Sequence, residues 1–137
     1  MSIKIYIDTN VYLNSIDNRD NEVSRNVLTF LVQKNIELYI NDLTILNIHY
    51  IAKKNRSRDE IYKIVKTILY KHKVVPIDKA ILEESLESNF KDFEDGVQYF
   101  CAKKIKADLI ITSNKKDFIY SKINVLTPLE FYNKYII

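Results

Sequence analysis

The sequence predicts an α/β fold, a three-layer α/β/α sandwich built on a five-stranded parallel sheet. Five short apolar runs alternate with segments in which apolar residues recur three and four positions apart, so strands alternate with helices along the chain. Polar residues scarcely interrupt the runs, as in strands that are buried on both faces. With 137 residues, 47% of them hydrophobic, the chain has the size of one domain, residues 1–137.

Each element has its own local signal. The predicted strands cover residues 3–7, 36–40, 73–77, 108–112 and 124–126. Apolar residues at helical spacing predict helices over residues 23–32, 45–52 and 61–69. Later helices are predicted over residues 78–86 and 92–105, each opened by an aspartate, and over 129–135, opened by Thr127 and Pro128. Right-handed crossovers between parallel strands place these helices on both faces of the sheet.

Composition and charge exclude several classes of protein. The single glycine rules out glycine-rich phosphate loops, and the single cysteine, Cys101, rules out an intramolecular disulfide and a cysteine-based zinc site. A net charge of +3 permits nucleic-acid binding without requiring it. No apolar run approaches the ~20 residues that cross a bilayer, and the N-terminus lacks the features of a signal peptide. We therefore expect a cytoplasmic protein that does not contact a membrane.

Polar residues gather where strands end and the following helices begin. Asp8-Thr9-Asn10 follows the first predicted strand, and residues 113–118 follow the fourth. If these two strands are neighbours where the strand order reverses, both clusters open into one crevice. The helix that starts at residue 92 brings a third set, Asp92, Glu94 and Asp95. Each set alone is compatible with ordinary helix capping.

Three acidic clusters at one edge of a sheet favour a metal site over capping alone. Carboxylates gathered in one crevice repel one another unless a cation or a proton neutralises them. Oxygen ligands suit Mg²⁺ or Mn²⁺, which bind through few carboxylates and contact substrate phosphates. The chemistry that fits is attack on a phosphodiester by a metal-activated water.

Three stretches of the sequence together resemble a PIN domain: "IDTNVYL", "DFEDGVQYFCAKKIKADLIITSNKKDF" and "INVLTPLEFY". The resemblance runs from Ile3 to about Tyr132 and is closest to the small bacterial PIN proteins that are toxins of type II toxin–antitoxin pairs. It implies a five-stranded parallel α/β/α sandwich and a ribonuclease that depends on Mg²⁺ or Mn²⁺. It also implies RNA, an antitoxin protein and a second copy of the chain, in a homodimer, as partners.

The resemblance assigns site residues position by position, with two departures from the family pattern. The first acidic ligand of the family falls on Asp8, and the one in the late helix falls on Asp95. Asn47 stands where the family has glutamate, and Asn114 where it often has aspartate, with Asp117 three residues later. Two amides in place of carboxylates predict weaker metal binding, because a hard cation loses Coulombic attraction.

The leading hypothesis is therefore a metal-dependent endoribonuclease that an antitoxin holds in check. Asp8 and Asp95 bind the metal, Asn114 and Asp117 complete the site or orient the attacking water, and Asn47 offers an amide oxygen. Basic residues are predicted to neutralise RNA phosphates, namely Lys115, Lys116, Arg56 and Arg58.

Thr9 and Asn10 are predicted to hold the loop after Asp8 and to cap the short helix behind it. Two other functions compete with the nuclease. The amides at positions 47 and 114 are compatible with a PIN fold that binds RNA or a protein without cutting. A Mg²⁺-dependent phosphotransfer module also uses acids at strand ends, but it requires a second acid where this chain has only Asp8.

Overall fold

The computed structural model describes residues 3–34 and 36–137, which form five β-strands and seven α-helices. The strands are β1 (Lys4–Ile7), β2 (Glu37–Asn41), β3 (Lys73–Val75), β4 (Leu109–Ile111) and β5 (Asn124–Leu126). The helices are α1 (Thr9–Asp17), α2 (Val23–Gln33), α3 (Asp42–Ala52), α4 (Arg58–Lys71), α5 (Lys79–Glu87), α6 (Phe93–Lys104) and α7 (Pro128–Phe131). In the described part of the chain, none of these helices is both long and apolar enough to cross a membrane.

All five strands pair in parallel, in the order β3-β2-β1-β4-β5. The central strand is β1, whose Tyr6 aligns with Tyr39 of β2 and with Ile110 of β4. The chain runs outward from β1 through β2 to β3 and then returns to β4 on the other side of β1. The strand order therefore reverses between β1 and β4, which is where open parallel sheets bind their ligands.

Alternate residues of β1 face two separate hydrophobic cores. Ile5 and Ile7 pack in one core with side chains of α2 and α3, such as Leu31. Tyr6 packs in the other core with side chains of α6, such as Val97. A sheet with a core on each face is a three-layer sandwich, so the predicted fold class is confirmed.

The element boundaries differ from the predicted ones by a few residues. Strand β3 ends at Val75 instead of residue 77, because Pro76 has no N–H to donate to a ladder. Helix α4 begins at Arg58, before the predicted apolar stripe, because Ser57 and Glu60 form a capping box. The last predicted helix is divided into α7 and a π-helical turn, Tyr132–Ile136.

Candidate active site

Asp8 follows β1 at the crevice between β1 and β4. Its N–H donates to the carbonyl of Ile111 in β4 at 3.0 Å, and its carboxylate accepts a hydrogen bond from the Thr112 hydroxyl at 2.7 Å. Only 4% of the residue is exposed. Burial raises the pKa of Asp8, the Thr112 bond opposes that shift, and the charges of Asp117 and Asp92 raise it further. The first predicted ligand is thus a buried carboxylate held by the neighbouring strand's end.

Asp95 lies in the first turn of α6, near enough to Asp8 for the two charges to interact. Asp92 caps this helix by accepting a hydrogen bond from the Asp95 N–H at 3.0 Å. Partial burial raises the pKa of Asp95 to about 7, and the negative charges of Asp8, Asp92, Asp117 and Glu94 act in the same direction. The sheet topology therefore brings the three predicted acidic clusters into one electrostatic field.

The loop after β4 is anchored on Thr112. The Asn114 N–H donates to the Thr112 hydroxyl at 3.1 Å, and the Asp117 N–H donates to the Asn114 carbonyl at 2.9 Å. Asp117 then stands in a 3₁₀ turn, Lys115–Phe118, with its side chain exposed. One hydroxyl thus links Asp8 to the loop that carries Asn114 and Asp117.

Beside this loop, a cleft of about 380 Å³ opens between α6 and the 3₁₀ turn. Its charged lining consists of three acids and two lysines, namely Asp92, Asp95, Asp117, Lys91 and Lys116. Carboxylates and ammonium groups in one open cleft can hold a cation next to an anionic substrate group.

Asn47 lies half-buried on α3, one turn after Thr44. The Thr44 hydroxyl is 2.8 Å from the hydroxyl of Thr9, so α3 is joined to the residue that follows Asp8. The capping role predicted for Thr9 and Asn10 is wrong. Among the described residues, the N-cap of α1 is Asp8, which makes no side-chain capping bond because its carboxylate accepts from Thr112, and the Thr9 hydroxyl bonds to α3.

The two arginines predicted to contact RNA already have intramolecular partners. The Arg56 guanidinium donates to the Ile16 carbonyl at 3.2 Å and to the Asp17 carboxylate at 3.1 Å, which ties the end of α1 to the segment after α3. Arg58 lies over the Tyr62 ring, 4.3 Å from its centroid, and remains exposed. Neither arginine lines the acidic cleft.

The two lysines predicted to contact RNA lie in the turn after Asn114. Lys115 forms an exposed ion pair with Glu130 at 3.0 Å. Lys116 lines the acidic cleft itself. Of the four predicted basic residues, Lys116 is therefore the one that the structure brings to the carboxylates.

Two side chains around the site were assigned no role from the sequence. Thr112 was predicted only as the end of a strand, yet its hydroxyl holds Asp8. Gln98 is 7% exposed in α6, and its amide donates to the hydroxyls of Thr9 and Thr44 at 3.1 and 3.4 Å. A glutamine inside the otherwise apolar stretch "GVQYFC" is a sequence signal for such a buried hydrogen-bonded amide.

The donor set suits a hard divalent cation. In the two ranges that the structure describes, no group of three or more His, Cys, Asp or Glu side chains could enclose an ion by itself. Mg²⁺ does not require such a group, since it retains several waters and binds through one or two carboxylates. Asp8 and Asp95 supply two carboxylates. Burial raises the pKa of Asp95 most, and a cation would relieve the further contribution that comes from repulsion by the neighbouring carboxylates.

Residues 4–116 match the family model described as a PIN domain. Among curated proteins, the chain is similar to Ribonuclease VapC1 of Aquifex aeolicus (strain VF5), with 31% identity over an alignment 140 residues long that spans 95% of this chain and 94% of the relative.

Solved structures have the same fold at lower identity. A toxin–antitoxin complex from Klebsiella pneumoniae matches with a TM-score of 0.68 at 21% identity, covering 90% of this chain and 97% of the other. VapBC2 from Rickettsia felis, bound to a DNA fragment from its promoter, matches with a TM-score of 0.67 at 14% identity, covering 91% and 98%. On the family match and the identity to the curated relative, the chain belongs to the PIN-domain family.

Proposed function

We propose that this protein is a divalent-metal-dependent endoribonuclease that acts as the toxin of a type II toxin–antitoxin pair. The observation that carries the proposal is the pair Asp8 and Asp95. Asp8 lies buried at the reversal point of the sheet, Asp95 lines the acidic cleft, and the charge of Asp8 adds to burial in raising the pKa of Asp95. The similarity to a protein named as a ribonuclease, and to structures titled as toxin–antitoxin complexes, supports it.

In this proposal Asp8 and Asp95 hold the ion, Mg²⁺ or Mn²⁺. The bound ion would supply an activated water and neutralise charge on the scissile phosphate. Thr112 keeps the Asp8 carboxylate in one orientation by donating to Oδ2. Asp117 and Asn114, on the loop anchored by Thr112, would complete the site or orient the attacking water.

Asn47 contributes its amide oxygen from α3, on the side of the site opposite the loop after β4. Lys116 neutralises phosphate groups of the RNA at the cleft. Lys115 and Arg58 lie outside the cleft and neutralise phosphates further along the RNA chain. Lys115 can exchange Glu130 for a phosphate because exposed ion pairs are weak. Arg56 contributes less, since its guanidinium is engaged with Asp17.

The test is cleavage of RNA by the purified protein. We expect cleavage with Mg²⁺ or Mn²⁺ and none with EDTA. Asp8→Asn and Asp95→Asn should each lower the cleavage rate by at least about 100-fold. Loss of a residue that only hydrogen-bonds to a metal ligand already costs up to about 100-fold, and these two residues are the proposed ligands themselves. Asp59→Asn is the matched control, because Asp59 is exposed in the first turn of α4. Full cleavage by both site variants would mean that the site is misassigned.

An antitoxin partner belongs to the same proposal. A groove of about 500 Å³ separates α2 from α4, with apolar side chains such as Leu28, Val32 and Ile64 and with Lys63 and Lys71 beside them. Such a groove fits an amphipathic helix that carries acidic residues along its edges. We expect the product of a neighbouring gene to copurify with the protein and Ile64→Arg to disrupt that complex. Sedimentation of the free protein tests the proposed homodimer.

One specific observation favours a second function, an RNA- or protein-binding PIN module without catalysis. Asn47 and Asn114 stand where the family pattern has acids, so the site carries less negative charge. Expression in a bacterial host separates the two functions, since only a nuclease toxin arrests growth. Asn47→Glu gives a sharper measurement, because a large gain in Mn²⁺ affinity and cleavage would identify the natural protein as attenuated.

Membership of the PIN family leaves no observation in favour of the phosphotransfer module.

A further inference from the structure

A chain of buried hydrogen bonds lies behind the acidic crevice. The Tyr6 hydroxyl is 2.5 Å from Oε1 of Gln98, and Nε2 of Gln98 is 3.1 Å from the hydroxyl of Thr9 and 3.4 Å from that of Thr44. The two threonine hydroxyls are 2.8 Å apart. We call this set of four residues the amide network: Tyr6, Gln98, Thr9 and Thr44.

In the structure, Oε1 of the Gln98 amide faces Tyr6 and Nε2 faces the two threonines. Oε1 can only accept, so the Tyr6 hydroxyl must donate to it, and Nε2 can then only donate to the two threonines. Tyr6 and Thr44 are fully buried, and Gln98 is 7% exposed. Because water has little access there, a displaced amide would leave buried polar groups unpaired.

Each member of the amide network is close in sequence to a residue of the proposed site. Tyr6 and Thr9 flank Asp8 on β1 and α1, and Gln98 lies one helical turn after Asp95 on α6. Asp8 and Asp95 therefore sit on backbone segments that Gln98 joins.

The third segment in the network is α3. Thr44 lies one turn before Asn47, and its own N–H donates to the Asn41 side chain at 2.7 Å, which fixes the start of the helix. A helical turn is rigid, so the position of Thr44 determines that of Asn47. One amide thus joins the three backbone segments that carry Asp8, Asp95 and Asn47.

We propose that Gln98 is a positioning residue whose buried amide sets the separation of Asp8, Asp95 and Asn47 by joining β1, α1, α3 and α6. The inference rests on the proposed function, because the separation matters only if these side chains share an ion and a phosphate. Gln98 does not itself touch the reacting atoms. It acts as the outer partners of metal ligands do, through the groups that it holds in place.

The test replaces the amide with an apolar side chain of equal length, Gln98→Met. We expect Mn²⁺ affinity, measured by calorimetry on metal-free protein, and kcat on a short RNA each to fall by about 10- to 100-fold. KM should change little, because the basic residues that contact RNA lie outside the network. Tyr6→Phe, which removes only the hydroxyl, should give a smaller change of the same kind and keeps the proposal testable if Gln98→Met does not fold.

Val97→Ala is the matched control, since Val97 precedes Gln98 on α6, is 4% exposed and packs in the core without a role in the network. It should lower the melting temperature but leave Mn²⁺ affinity and kcat unchanged. Equal losses of Mn²⁺ affinity in Val97→Ala and Gln98→Met would overturn the proposal, because any loosening of α6 would then suffice.

Crystal structures of metal-free wild type and Tyr6→Phe separate this proposal from the proposed function. A wider separation of Asp8 from Asp95 in Tyr6→Phe supports the positioning role even if the wild type cuts no RNA. An unchanged separation overturns that role even if the wild type is an active ribonuclease.

Discussion

The environment of Asp8 disfavours the charged form of its carboxylate. Burial raises the pKa of its carboxylate, and the Thr112 hydroxyl only partly offsets that cost by donating to Oδ2. Such a residue is expected where a functional group has to be placed at the expense of stability. Its function and its effect on stability can therefore be separated by substitution.

Asp8→Asn should remove function without weakening the fold. The amide oxygen still accepts the Thr112 hydrogen bond, while the desolvated charge is gone. In EDTA at neutral pH we expect the free energy of unfolding to be unchanged or to rise by about 0.5–2 kcal/mol, as measured by urea denaturation. A clear loss of stability would show that the Asp8 charge has a stabilising partner.

Thr112→Val should have the opposite effect on stability. The substitution keeps the shape of the side chain but leaves the buried Asp8 carboxylate without its hydroxyl donor and the Asn114 N–H without its acceptor, which costs about 1–3 kcal/mol of unfolding free energy. Thr112→Ser, which retains the hydroxyl, is the control and should lie near the wild type. Equal stability of the valine and serine variants would mean that the two hydrogen bonds of the Thr112 hydroxyl contribute little.

At the scale of elements, sequence signals located the helices and strands well because those signals are local. Asp92 was predicted to open α6, and it is the N-cap of a helix that runs from Phe93 to Lys104. Strand β5 has the predicted bounds, Asn124–Leu126. The predicted end of β3 was wrong because Pro76, inside the predicted run, had a stronger local effect than the apolar pattern.

Side-chain pairing between elements could not be predicted in the same way. Thr9 has the chemistry of a cap, but its hydroxyl bonds to Thr44 and to Gln98, which are 35 and 89 residues away in sequence. Those contacts depend on the packing of α1, α3 and α6 against β1, which no local pattern specifies. The resemblance to PIN domains supplied Asp8 and Asp95 as a pair, and it gave no indication of the amide network.

The N-terminus of α6 allows a test of how capping and charge contribute separately. Asp92→Asn should keep the cap, because Asn and Asp are comparable at this position, and should lower the pKa of Asp95 by removing one negative neighbour. Asp92→Ala should lower that pKa as well but also cost about 1 kcal/mol of unfolding free energy. NMR titration of the Asp95 carboxyl and urea denaturation measure the two effects. An unchanged pKa of Asp95 in Asp92→Asn would contradict the charge contribution.

At the scale of the whole molecule, a chain of positive net charge carries interacting carboxylates at one edge of its sheet. The chain carries +3, yet Asp8, Asp95 and Asp117 interact at the reversal point of the sheet. The net charge attracts a polyanion such as RNA from a distance, whereas close approach of a phosphate to the crevice requires neutralisation of the carboxylates. The repulsion among these carboxylates should also lower the free energy of unfolding of the metal-free protein.

The metal-free protein should lose stability as the pH rises toward and through 7. The pKa of Asp95 is about 7 in the folded state, against an ordinary value of 3.8. Between these values the folded protein holds a proton that the unfolded chain releases, so the free energy of unfolding falls as the pH increases. Asp95 is half-buried, and solvent screening limits the expected loss to roughly 1–2 kcal/mol. Urea denaturation in EDTA at pH 5 and pH 8 measures it, and Asp95→Asn should flatten the dependence.

A divalent cation should reverse that loss at neutral pH. An ion that binds only the folded state stabilises it by RT ln(1 + [L]/Kd), about 2.7 kcal/mol at a hundredfold excess over Kd. Asn47 and Asn114 leave the site with fewer charges, so we expect weak binding and a larger effect of Mn²⁺ than of Mg²⁺. Thermal melts at neutral pH with EDTA, Mg²⁺ and Mn²⁺ test this, with Asp8→Asn as the variant that should not respond. A melting temperature that is the same in all three conditions, in wild type and variant alike, would favour the binding module over the nuclease, because the proposed nuclease requires a bound cation and binding would raise the melting temperature.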